Sequence, residues 1–201
     1  MISPGLLFDL RVSNNLPQER IHAVLLRCQI QIEVARRRYS SSEQQQLREL
    51  FDEPSRWGET LRPITWTNVS LNLAAFSGST TTSLIVPCSF DFSAATAKYF
   101  HSLDEGEVPL TFLFSGSVFH ENGVGALQVA PISWNKESRF RLPVQTWKSV
   151  MDLHFPNIVP LNIRRDVFEE FYRLKMTLGL PTFEETIQHM IALVERERPA
   201  S

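Results

Sequence analysis

The stretch His22-Ala23-Val24-Leu25-Leu26-Arg27-Cys28-Gln29-Ile30-Gln31-Ile32-Glu33-Val34 decides how the rest of the chain is read. His22, Val24, Leu26, Cys28, Ile30, Ile32 and Val34 share one parity, and Ala23, Leu25, Arg27, Gln29, Gln31 and Glu33 the other. Alternation with a period of two is the pattern of a β-strand with one face in a core and the other in water. Burying each apolar side chain from Val24 to Val34 contributes roughly 1.5–3 kcal/mol before conformational entropy is subtracted. So apolar a face needs a second layer over it.

Working outward, the same alternation recurs. Leu6, Phe8, Leu10 and Val12 form a first strand, and Ser13-Asn14-Asn15-Leu16-Pro17 is dense in turn formers, so the first strand is expected to pair antiparallel with the main one. Val69, Leu71, Leu73 and Ala75, then Ser77-Gly78-Ser79, then Thr82, Leu84, Val86, Cys88 and Phe90, with Ser89 on the other parity, read as a hairpin. Pro87 lacks an N–H, which places that side of its strand at an edge or bulge. Val108, Leu110, Phe112, Phe114, Gly116 and Val118 make a strand whose other face, with Leu113 and Phe119, is apolar too, as in a strand covered on both sides. Asn122-Gly123 is a turn, Leu127 and Val129 continue a return strand, and Phe140 and Leu142 mark a last one.

Helices interrupt and then follow the strands. Ser40 and Glu43 have capping-box spacing, Leu47, Leu50 and Phe51 share one helical face, and Pro54 suits the first turn of a short helix carrying Trp57 and Leu61. Ser93 to Leu103 reads as another short helix, ended by the solvated turn Asp104-Glu105-Gly106-Glu107. After Leu142 the period changes. Pro143 opens a helix with Val144, Trp147, Val150 and Met151 on one side, stopped at Phe155-Pro156-Asn157. Asp166 is placed to cap a helix with an apolar stripe of Val167, Phe168, Phe171, Leu174 and Leu178, closed by Gly179. Thr182 and Glu185 repeat the capping spacing before Phe183, Ile187, Ile191 and Val194, and Glu195-Arg196-Glu197-Arg198 is a polar tail expected to fray.

Strands first and helices last predict an α+β fold, an antiparallel β-sandwich-like core of about seven strands with a helical insertion and C-terminal helices. Residues 1–142 are the expected β-rich part, with the insertion at 40–62, and residues 143–201 a helical segment packed on it, one domain overall.

Composition excludes several functions. A net charge of −2 over 201 residues gives no bulk attraction for nucleic acid or an anionic membrane, and no apolar run approaches the ~20 residues of a membrane-spanning helix. No basic stretch followed by a long apolar run opens the chain, so a cytoplasmic location is expected. Cys28 and Cys88 both lie on apolar parities and read as reduced, buried thiols. In that setting Asn68-Val69-Ser70 is a chance match to a glycosylation acceptor.

His22, His101, His120, His154 and His189 are scattered, without metal-ligand spacing, and no nucleophile elbow, phosphate loop or dinucleotide fingerprint occurs. No catalytic residue, metal or cofactor is therefore expected. Arg36-Arg37-Arg38 reads as a solvated strand end or as partners for nearby carboxylates, since no second basic cluster with interleaved aromatics supports nucleic-acid binding. The candidate ligand-binding residues are His154, at a helix end beside Phe155, and Arg164, Arg165 and Asp166, at a helix start. Hydrogen bonding and salt bridges are their alternative roles.

Ile21-His22-Ala23-Val24-Leu25-Leu26-Arg27-Cys28-Gln29-Ile30, Glu53-Pro54-Ser55-Arg56-Trp57-Gly58, Phe76-Ser77-Gly78-Ser79-Thr80, Lys98-Tyr99-Phe100 and Phe114-Ser115-Gly116 resemble an uncharacterised bacterial family, a domain of unknown function. The resemblance implies a genetic setting beside nickel–iron hydrogenases, and hence an assembly or docking role with hydrogenase components as partners. It carries no residue roles. The order of strands and helices, with Leu142-Pro143 entering a helix and Phe155-Pro156-Asn157 leaving it, is also loosely similar to the export chaperone SecB. Three functions follow: a non-catalytic accessory or interaction protein, a SecB-like binder of unfolded chains, and an enzyme whose site is assembled from distant residues.

Overall fold

In the computed structural model, which describes residues 4–16, 19–88, 94–156, 158, 161 and 163–197, the alternating stretch is a central strand. The described residues hold seven strands: β1 (Gly5–Ser13), β2 (Ile21–Ile32), β3 (Ile64–Leu73), β4 (Ser79–Pro87), β5 (Glu107–Glu121), β6 (Leu127–Pro131) and β7 (Glu137–Pro143). They also hold the α-helices α1 (Ser41–Phe51), α2 (Trp57–Thr60), α3 (Ala94–His101), α4 (Val144–His154), α5 (Arg165–Leu178) and α6 (Phe183–Glu197). All strand pairing is antiparallel, in two sheets: the α+β, sandwich-like class that strands before helices predict. Pro17, Ser89, Phe90, Ser93, Asn157 and Arg198, which the sequence places in turns, strands and helix ends, lie outside the described residues.

The large sheet runs β3-β2-β5, with β6 and β7 sharing the far edge of the long β5. The small sheet is β1 paired with β4. This corrects two expected pairings, for β1 does not pair with β2, and β3 and β4 are not a hairpin. Alternation fixes which side chains face the core but not which sheet a strand joins. Both connections cross between sheets at one end of the sandwich. The Asn14 amide turns the first: its Oδ1 accepts from Leu16 N at 3.0 Å and its Nδ2 donates to Leu16 O at 2.7 Å and Glu19 O at 3.1 Å. In the second, Phe76 exchanges both backbone bonds with Ile21 at 3.0 Å before Gly78, at φ +71°, turns the chain into β4. A Ser-Gly-Ser turn serves this crossing as well as it serves a hairpin. Pro87 does sit on an edge, since among the described residues β4 pairs only with β1.

Parity holds along β2 from Val24 to Ile32, and Val34, one step beyond, is also fully buried. It fails at His22. A register shift between Ile21 and Ala23 turns Ile21 inward and leaves His22 half-exposed. Val108 to Phe112 on β5 are buried on both parities, as a strand covered on both sides requires. Gly116, at φ +135°, allows a close approach of two strands: a Cβ there would lie 1.9 Å from the Leu25 carbonyl oxygen.

α3 and α4 close this core. Phe100 stacks on Trp147 at 4.8 Å and tilts against Trp66 at 5.3 Å. The Tyr39 hydroxyl donates to Val34 O at 2.7 Å and meets the Tyr99 hydroxyl at 3.0 Å. Cys28 and Cys88 are free and buried, and burial raises their thiol pKa values to about 12 and about 11. Among the described residues, no helix is long and apolar enough to cross a membrane.

The chain divides into two compact units, residues 1–160 and 161–201. α4 belongs to the first, with Val144, Trp147 and Met151 buried in its core. The second is the α5–α6 hairpin, turned at Gly179 in the left-handed conformation.

Candidate functional site

The residues singled out from sequence fall in both units. His154 is exposed on the last turn of α4. Arg164, Arg165 and Asp166 open α5. Arg164 occupies the N-cap position and Asp166 the first turn, so Asp166 does not cap the helix. Instead it accepts from Arg164 at 2.7 Å, while Arg165 reaches Glu169 at 2.9 Å. All four of these side chains are more than half exposed, where an ion pair contributes about 0–1 kcal/mol.

A different arginine is buried. Ser40 and Glu43 form the expected capping box: Ser40 Oγ accepts from Glu43 N at 3.1 Å and Glu43 Oε2 from Ser40 N at 2.9 Å. The other carboxylate oxygen of Glu43 accepts from Asp104 N at 2.9 Å and from the Arg37 guanidinium. Arg37 also donates to Glu107 O at 3.0 Å and Glu105 O at 2.7 Å, and lies 5.6 Å from the Tyr39 ring centre. Both side chains of this pair are more than nine-tenths buried. Two buried charges are tolerated because each is hydrogen-bonded on several sides. The pair clasps the exit of β2, the start of α1 and the turn before β5.

Around the clasp is an open recess of about 770 Å³, rimmed by Arg36, Arg38, Asp104, Glu105, Glu107 and Arg141. Its charges alternate in sign and pair locally, Arg36 with Glu33 at 3.5 Å and Arg141 with Glu107 at 3.9 Å, so it presents no single-sign field. Of the arginine run, then, Arg36 and Arg37 are partners for carboxylates. That the middle residue is buried was not legible from sequence, because its partners include backbone carbonyls 68 and 70 residues away.

Histidine chemistry is equally local. His22 meets Glu121 at 3.1 Å and His120 lies 3.3 Å from Glu19, both at the crossing end of the sandwich. His101 packs edge-on against Trp147 at 5.0 Å, and its pKa lies below the usual histidine value, first through burial and then through the nearby Lys148 charge.

The α5–α6 hairpin presents another kind of surface. Phe183 of α6 packs against Phe168, Phe171 and Tyr172 at 5.3, 5.5 and 6.1 Å. Among the described residues of α5 and α6 only Thr186 is buried. At 100° per residue, the half-buried Phe171 and Lys175 mark the side of α5 toward α6. Val167, Leu174 and Leu178 lie to one side of that line and Phe168 and Tyr172 to the other. On α6, Ile187, Ile191 and Val194 extend the apolar surface. Eleven large apolar side chains of the two helices, Phe171 and Phe183 not among them, are 37–60% exposed. Exposed large apolar side chains gathered on one hairpin, unlike single ones scattered over a surface, are the pattern of an interaction surface.

Neither the curated proteins nor the solved structures provide a match to this sequence. One family model does match, over residues 1–199 and thus through both the sandwich and the hairpin. The chain belongs to DUF6084, a family of unknown function.

Proposed function

We infer that this protein is a non-catalytic accessory or interaction protein, whose α5–α6 hairpin docks on a folded protein partner. One observation carries the reading: large apolar side chains on both helices are 37–60% exposed. The occupant it suits is an apolar helical face, because long side chains at i, i+3 and i+4 interlock with a similar ridge. The narrower reading, from the resemblance given above, is that the partner is a component of a nickel–iron hydrogenase under assembly, in the cytoplasm.

The test is a pull-down at native expression with the wild-type chain and with Phe168→Asp/Ile191→Asp. Hydrogenase subunits recovered with the wild type and lost with the variant, while the thermal transition of the first unit is unchanged, are the expected result. Equal recovery with both would overturn the hairpin as the docking surface, and recovery of other proteins alone would overturn the hydrogenase reading.

The same surface favours a second reading, a chaperone-like binder of unfolded chains. That reading expects suppression of aggregation of a chemically denatured client, lost in the same variant, and no dependence on client identity.

A further inference from the structure

The two sheets do not fill the space between them evenly. At one end Phe8 of β1 packs edge-on against Phe112 at 5.1 Å and Phe140 at 5.4 Å. Further along β1, Leu10 and Val12 meet a second, smaller cluster around Ile21, Val24, Leu26 and Leu73. There Leu10, Val12, Phe76, Phe114, Val118 and Ile132 stay only partly buried. They surround a cleft of about 440 Å³, within the ~300–1,000 Å³ usual for ligand sites. Interiors are otherwise packed with few voids.

Five consecutive residues of the chain, Leu10 to Asn14, line this cleft. Neighbouring side chains on a strand point to opposite faces, so a cavity touching four consecutive residues of β1, Leu10 to Ser13, runs along the strand's edge and meets its backbone. The ladder shows which groups are free. Cys88 N donates to Pro4 O at 2.8 Å and Asn14 N to Gly78 O at 2.7 Å, at the two ends of the β1–β4 register. Bonded and non-bonded pairs alternate in an antiparallel ladder, so the even-numbered residues of β1 bond to β4. Leu7, Asp9, Arg11 and Ser13 then turn their N–H and C=O groups to the other edge, where β1 pairs with no described strand.

Charge completes the picture. Arg11 and Lys136 both line the cleft, and among the described residues neither side chain has an acidic partner. Glu137, beside them, pairs with Arg139 at 2.9 Å.

We propose that the free edge of β1 takes an extended peptide segment by strand addition, with alternate apolar side chains entering the cleft and an acidic side chain meeting Arg11 and Lys136. Backbone bonds supply affinity in this mode, and the pockets for alternate side chains supply specificity. A small amphipathic anion would satisfy the charges and the apolar floor but would leave the backbone edge bare, which is why a peptide is the better occupant. This site is separate from the hairpin and stands without it.

The test uses the full-length protein and a fluorescein-labelled, acetylated octapeptide alternating valine and threonine with one central glutamate. Three probes accompany it: the same peptide N-methylated at alternate backbone nitrogens, the same peptide with lysine for glutamate, and dodecanoate. Saturable binding of the parent peptide is expected, weakened at least tenfold by N-methylation. Ser13→Pro removes an outward N–H while sparing the bonds to β4, and should weaken the parent peptide at least tenfold without affecting dodecanoate. Lys136→Glu should weaken the glutamate peptide several-fold and strengthen the lysine peptide.

No saturable binding of the parent peptide to the wild type would overturn the proposal. So would equal affinity for the N-methylated peptide, a result that does not depend on any variant folding. Dodecanoate binding in the absence of peptide binding would reassign the cleft to small amphipathic anions.

Discussion

Phe100 and Phe168 are the same side chain in opposite circumstances. Phe100, fully buried, stacks on Trp147, tilts against Trp66 and meets Tyr99 edge-on at 5.7 Å. Phe168 touches Tyr172 and Phe183 and is still 42% exposed. In the first unit apolar patterning has been spent on a core, and in the second it has been left at the surface. The same hydrophobic periodicity thus ends in a core in one place and at the surface in the other, and only packing tells them apart.

The sharpest break of that comparison is truncation. Phe100→Ala should cost about 3–5 kcal/mol, as for other fully buried aromatics, and lower the thermal midpoint of the first unit by roughly 10 °C. Phe168→Ala should cost ~1 kcal/mol or less, since much of its area is already in water, while abolishing partner recovery in the pull-down. Equal losses of stability by calorimetry would mean that the hairpin face is not free for a partner. Phe114→Ala, at the half-filled cleft, should fall between the two.

Next in size is the Arg37–Glu43 clasp. Arg37→Ala leaves the Glu43 carboxylate buried with its charge uncompensated, at a cost of about 3–5 kcal/mol. Urea unfolding of Arg37→Ala and of Arg37→Ala/Glu43→Gln separates the charge from the lost packing: the double variant should recover part of the loss. If it recovers none, the clasp acts through its backbone bonds alone.

How much of this was legible in the sequence depends on the range of the interaction. Ser40 and Glu43, three residues apart, announce their capping box; Gly179 marks its helix end; Val24 to Ile32 declare their inner face. Each is a local rule. The pairing of Leu7 with Ile85 rather than with β2, and the reach of Arg37 to the carbonyls of Glu105 and Glu107, are set by closure of the whole core. Even within β2, one irregularity at His22 was enough to invert a parity that no sequence rule flags. Arg164, Arg165 and Asp166 drew attention as polar residues at a helix start, and the sequence alone offers no measure of their burial.

A smaller, pH-dependent effect sharpens the contrast between the units. Burial raises the pKa of Cys28 to about 12 from 9.0, of Cys88 to about 11 from 9.0 and of Tyr39 to about 12 from 10.0, and Tyr99 is raised as well; all four lie in the first unit. The unfolded chain therefore gives up these protons at lower pH than the folded one. Their stabilising contribution is complete below about pH 9 and is lost as pH rises through about 12. Urea midpoints followed by tryptophan fluorescence should fall between pH 9 and 11, and native Cys28 and Cys88 should resist a thiol reagent at pH 8. A midpoint that is flat across this range would mean that these groups reach water in the native state.

The smallest expected effect lies at the start of α5. Arg164 and Asp166 have 78% and 66% exposed side chains and meet at 2.7 Å, yet water screens them and both chains lose rotamer freedom in holding the contact. Asp166→Asn should therefore change stability by no more than ~0.5 kcal/mol, an order of magnitude below the buried pair at Arg37. The two ion pairs have similar chemistry, so the ratio of the two costs isolates burial as the cause. Asp166→Asn also asks whether the sequence was right to notice this turn. Partner recovery reduced tenfold at unchanged stability would make the charges flanking the hairpin's apolar face part of its recognition surface, whereas unchanged recovery would leave Asp166 as a solvated first-turn carboxylate favoured by the helix dipole.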